Sequence, residues 1–106
     1  MIVVIFEVQP NEAGKPRYFD LAAELRPELE KQDGFISIER FESLATPGKI
    51  VSISFWRDEA AVAAWRGHAG HAAAQALGKS ELFDDYRITV AESLRAGPRP
   101  LNLRRR

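Results

Sequence analysis

The sequence predicts an α+β domain with the ferredoxin-like order β-α-β-β-α-β, a four-stranded antiparallel sheet with two helices on one face. Three observations carry this reading. Four segments are rich in β-branched and aromatic residues. Two helix-patterned segments of similar length separate the first from the second and the third from the fourth. The middle two strands are joined by a short connection holding Thr46-Pro47-Gly48, which makes them a hairpin.

The first strand spans Ile2 to Val8 and is apolar on both faces for most of its length, with Ile2, Val4, Phe6 and Val8 alternating with Val3, Ile5 and Glu7. A strand with one solvated face would alternate apolar with polar, so both sides of this one are expected to be covered. A helix follows from about Pro16 to Gln32, with Pro16 suited to its first turn. Tyr18, Leu21, Ala22, Leu25 and Leu29 fall on one face of it. Pro27 lies inside and predicts a kink. Asp33-Gly34 ends the segment, with Gly34 able to take the left-handed conformation.

The second strand spans Phe35 to Glu42 and the third Lys49 to Trp56. On the third, Val51, Ile53 and Phe55 make an apolar face, while Ile50, Ser52, Ser54 and Trp56 make a face of small residues closed by an indole. Two serines in mid-strand leave space, either for a close-packed helix or for a ligand. Asp58 is placed to cap a second helix, with Glu59 in its first turn. Gly67 and Gly70 predict a break before it resumes from about His71 to Leu77. The last strand spans Phe83 to Leu94.

Helices on one face would leave the other face of the sheet bare. Because the strands are apolar there too, two sheets are expected to pack face to face in a homodimer.

Composition excludes several classes. The 106 residues amount to one domain. Fifteen Lys and Arg balance fifteen Asp and Glu, so no global charge draws nucleic acid or an anionic membrane. The exception is a basic tail, residues 96–106, ending Arg104-Arg105-Arg106 and expected to be flexible. The absence of cysteine removes disulfides, thiolate nucleophiles and thiolate metal sites. The apolar start lacks a basic flank and a cleavage signature and is too short to span a bilayer, so a cytoplasmic location is expected. There is no phosphate loop, no Gly-x-Ser-x-Gly elbow and no flavin or nicotinamide fingerprint, so no cofactor is expected.

These features resemble the antibiotic biosynthesis monooxygenase domain over about residues 1 to 95. The landmarks are the element order, Asp33-Gly34-Phe35, the strand ending Trp56-Arg57-Asp58 with Glu59-Ala60 after it, and the helix reaching His71. The resemblance implies a dimeric α+β barrel. It also implies more than one activity. Some members are cofactor-free monooxygenases that oxidise phenols or quinols with O2. Another branch binds and degrades heme, using an asparagine on the first strand, a helix tryptophan and a histidine ten residues later. Trp65 matches that tryptophan, but Gln75 stands in the histidine's place, and the first strand offers Glu7 and Gln9 with no asparagine. Heme degradation is therefore not expected. Related barrels include lactone isomerases and domains with no known chemistry.

The candidate site centres on Ser52 to Gly78. His71 is the candidate catalytic group, able to hydrogen-bond or deprotonate a phenol, since an imidazole titrates near 6.5. A histidine bridging the helix break is the structural alternative. Trp65 and Trp56 are candidate walls for a flat aromatic substrate, with Tyr18, Phe6, His68 and Tyr86 completing the cavity. Core packing would also explain each aromatic residue. Arg40, Arg57 and Arg66 offer charge for a phenolate or carboxylate, or surface salt bridges. His68 and His71 are three apart, but no partner carboxylate is evident and no metal site is expected. The expectation is a homodimer that oxidises a small aromatic phenol or quinol-like molecule with O2. A non-catalytic ligand-binding or interaction dimer is the alternative, and heme binding a third.

Overall fold

The computed structural model describes the backbone of residues 1–76 and 83–96, with side chains for residues 1–68 and 86–96. The elements are β1 (Ile2–Pro10), α1 (Lys15–Glu30), β2 (Phe35–Glu42), β3 (Ile50–Trp56), α2 (Glu59–Ala76) and β4 (Phe83–Glu92). The strands form one sheet in the order β2-β3-β1-β4, and each neighbouring pair is antiparallel. This is the ferredoxin-like arrangement the sequence predicts. The basic tail lies, from residue 97 on, outside the described residues.

α1 opens where Asn11 turns the chain: its carboxamide Oδ1 accepts the Gly14 N–H at 2.6 Å. Pro16 sits in the first turn, where its missing donor costs nothing. The helix runs through Pro27 and ends at Glu30, two residues before the expected Gln32. Gly34 then takes φ +89°, the left-handed conformation open to glycine. α2 begins with the expected cap: Asp58 Oδ1 accepts the Ala61 N–H at 2.9 Å.

One expectation is corrected. Gly67 and Gly70 do not break α2, which is continuous from Glu59 to Ala76. Each glycine costs about 1 kcal/mol of helix propensity. The alanines on either side, the best helix formers, outweigh that local cost, and a Cβ at Gly67 would meet nothing within 4 Å. The glycine there meets no packing demand that would turn the chain.

The core lies between the helices and one face of the sheet and is divided into two clusters. At one end Trp56, Val62, Leu29 and Ala61 are buried together. At the other, Val8, Ile50 and Tyr18 are buried together. The two landmark segments of the sequence meet at the first end. Phe35 lies beside Trp56 with ring centroids 5.3 Å apart at 75°. The Gly34 carbonyl accepts the Arg57 N–H at 2.7 Å. The Arg57 guanidinium donates to both Asp33 oxygens, at 3.2 and 3.1 Å, and to Asp58 at 3.0 Å. This joint fixes where α2 leaves the sheet.

Candidate active-site cleft

The space between the two core clusters follows from the strand pattern. On the helix-facing side of the sheet, residues line up across the strands in rows. One row is Ile38, Ser54, Val4 and Val90; the next is Arg40, Ser52, Phe6 and Ile88. The flanking rows carry Trp56 at one end and Ile50 with Val8 at the other. Bulky residues in the end rows prop the helices off the sheet. Serines at the centre of the middle rows do not fill the gap. The result is a cleft of about 460 Å³, within the usual range for small-molecule sites.

The floor of the cleft is Ser52, Ser54, Phe6, Val4 and Ile38. α1 contributes Tyr18, Leu21, Ala22, Leu25 and Leu29 to the walls, and α2 contributes Val62, Trp65 and Arg66. Most of this surface is apolar. The floor hydroxyls differ in availability, because Ser54 Oγ accepts the Trp56 indole N–H at 3.0 Å. Trp56 is 1% exposed, so that bond satisfies a donor that water cannot reach.

Three arginines border the cleft, and they are not equivalent. Arg26 is paired with Glu30 at 2.8 Å. Among the described residues, Arg40 and Arg66 make no ion pair, and the Nε of Arg40 is buried with no hydrogen-bond partner. Arg57 is not a lining residue; Asp33 and Asp58 engage it and hold its pKa above the ordinary arginine value. Asp58 in turn is held below its ordinary value, first by the Ala61 N–H and then by Arg57.

The structure sorts the sequence candidates. Trp65, Trp56, Tyr18 and Phe6 all line the cleft. Trp56 does so as a core residue whose N–H is already engaged. His68 is not a lining residue: its ring lies 5.4 Å from the Trp65 ring, and its Nε2 stands 3.9 Å from Glu28 Oε1, an ion pair only when the imidazole is protonated. Tyr86 lies against Phe6, ring centroids 6.1 Å apart, but borders a different depression. His71 falls on α2, and its side chain is outside the described residues. Arg40 and Arg66, read from sequence as surface charge or counter-ions, are lining residues. The signal for Arg40 was strand parity: it shares a face with Ile38 and pairs with Ser52. No group of three or more metal-ligating side chains occurs among the described residues.

A family model described as antibiotic biosynthesis monooxygenase matches residues 1–77. The chain belongs to this family. A jasmonate monooxygenase of Pyricularia oryzae is 44% identical over 92 residues, covering 87% of this chain and 43% of its own length. The chain spans about half the length of the curated relatives it matches. Among solved structures, Rv0793 from Mycobacterium tuberculosis superposes with a TM-score of 0.76 at 23% identity, covering 90% of this chain and 96% of that one. An R26S mutant of MhuD, solved with two manganese protoporphyrin IX molecules per active site, gives 0.72 at 14% identity, covering 92% and 98%. These likenesses show the fold of the antibiotic biosynthesis monooxygenase family. Among the described residues, no histidine lines the cleft.

Proposed function

We propose that this chain is a monooxygenase domain that oxidises a small electron-rich organic substrate with O2, bound in the helix–sheet cleft, without a redox cofactor. The observation that supports this most is the cleft itself. It is a mostly apolar space of ligand size, built by serines where the fold would otherwise place core side chains, in a chain of this family. The jasmonate monooxygenase relative supports the oxygenase reading but leaves the substrate open.

The chemistry proposed is substrate-driven. Loss of a proton from an acidic C–H or O–H leaves an anion electron-rich enough to reduce O2. For an anthrone-type methylene, one oxygen atom enters as the new carbonyl and the other leaves as water with the two hydrogens, so the substrate supplies all the electrons. The cleft walls would orient the ring, with Trp65 and Tyr18 as flanking aromatics. His71, on α2, is proposed as the proton acceptor because imidazole is the side chain that most often serves as a general base.

A homodimer through the opposite sheet face belongs to the same proposal. Val3, Ile5, Val51, Ile53 and Phe55 are only half-buried there, and Phe41 is exposed. Ile53→Lys would then convert a dimer to a monomer on size-exclusion chromatography with light scattering.

The experiment is oxygen uptake by the purified protein against hydroquinones, naphthols, anthrones and jasmonate, with Trp65→Ala and His71→Ala alongside. Uptake by the wild type that both variants lose is the expected result. A folded protein that consumes no O2 across the panel, yet binds panel members, would instead support a ligand-binding module.

A further inference from the structure

We propose that the cleft binds its ligand by a carboxylate, gripped by Arg40 and Arg66, with the apolar remainder of the molecule over the serine floor. The inference rests on reading the cleft as the substrate site, but not on turnover.

Arg40 and Arg66 both line the cleft, and neither has an acidic partner among the described residues. Arginine beside an apolar wall ordinarily finds a carboxylate or a backbone carbonyl, and a buried donor with no acceptor is rare in folded proteins. Other cations of the chain show the contrast. Arg57 is held by two aspartates, and Arg26 by Glu30. A more open depression of about 510 Å³ also carries cations, Lys49 and Arg87, but Glu7 takes both, at 2.8 and 2.7 Å. Of these two pockets, the helix–sheet cleft is the one that holds cationic groups with no acidic partner among the described residues.

The shape of the guanidinium narrows the ligand. Its N–H bonds come in parallel pairs that match the two oxygens of a carboxylate. The Nε of Arg40 is closed off from solvent, so the grip falls to the terminal nitrogens. A phenolate has one oxygen and would leave one bond of a pair unmet. Arg40 stands on β2 at the end of the Ser52–Phe6 row, so a carboxylate there directs the rest of the molecule across Ser52 toward Phe6. Arg66, from α2, supplies a second positive charge at the exposed rim.

The test is binding of 2-naphthoate against its neutral isostere 2-acetylnaphthalene, by titration calorimetry at fixed ionic strength. Charge-assisted hydrogen bonds are worth enough that naphthoate should bind about ten- to a hundredfold more tightly. Arg40→Gln should abolish most of that preference while leaving the neutral isostere's affinity within about twofold. Arg40→Lys keeps the charge but not the fork and should recover only part of it. Arg66→Gln should reduce it further, and Arg57→Gln, which is off the cleft, should not change it. Equal affinity for the two ligands in wild type, or a preference that survives Arg40→Gln, would overturn the proposal. Selective carboxylate binding without O2 uptake would uphold it and count against the monooxygenase reading instead.

Discussion

The joint between the α1–β2 connection and the start of α2 can be tested by one methyl group. Gly34 has φ +89°, and a Cβ there would lie 2.6 Å from the Cβ of buried Ala61 and 3.3 Å from the Arg57 guanidinium. Gly34→Ala therefore meets two costs. Left-handed backbone costs a non-glycine residue about 1–2 kcal/mol. Overpacking against Ala61, which cannot rotate away, adds about 1–3 kcal/mol. Gly48 separates the two. Its φ is +87°, but a Cβ there meets only the end of the flexible Gln9 side chain, at 2.9 Å. Gly48→Ala should cost the backbone part alone. At about 4 °C per kcal/mol for a domain of this size, Gly34→Ala should lower Tm by about 8–20 °C and Gly48→Ala by about 4–8 °C. The clash can also be relieved from the other side. Ala61→Gly alone should lose about 1 kcal/mol of helix propensity, yet in the Gly34→Ala background it should recover stability. The assay is urea unfolding at constant m, followed by tryptophan fluorescence. If Gly34→Ala were no worse than Gly48→Ala, or Ala61→Gly added its full cost to it, the close approach would not be what fixes α2.

Three other outcomes follow from the same geometry. Ser54→Ala should destabilise by about 1–3 kcal/mol, because the buried Trp56 N–H loses its acceptor, whereas Ser52→Ala should cost less. Ser52→Leu should fill the middle of the cleft floor; the expected result is a folded protein with naphthoate binding lost, and retained binding would place the ligand elsewhere. Acid stability should fall as pH drops through the carboxylate range, beginning near 4. Glu7, bonded first by Lys49 and then by Arg87, and Asp58, bonded by the Ala61 N–H, are both held below their ordinary values. The unfolded chain therefore takes up protons first, so their contribution is whole above that range and lost as pH falls through the lower folded values. Glu7→Gln should shallow the decline of the urea midpoint between about pH 5 and 3, and an unchanged slope would exclude Glu7 as a source.

Much of the architecture was legible without coordinates, because it depends on local chemistry and periodicity. The alternation of Ile50, Ser52, Ser54 and Trp56 marked a face of small residues and the space beside its serines, for either a close-packed helix or a ligand. Asp58 and Gly34 announced their cap and their left-handed turn because both act within a few residues of themselves. The break in α2 was misread for the opposite reason: glycine propensity is a weak local preference, and the flanking alanines prevail over it.

What only the tertiary structure decided was which polar groups are left over. From sequence, Arg40, Arg57 and Arg66 were three similar surface cations. Folding brings Asp33, twenty-four residues away, against Arg57 and, among the described residues, brings nothing acidic against the other two. His68 and Trp65 likewise shared a segment, yet the indole lines the cleft while the imidazole leans toward Glu28. Periodicity tells which face a residue takes. Whether a charge on that face is answered depends on contacts between distant segments, and those exist only once the sheet and helices are packed.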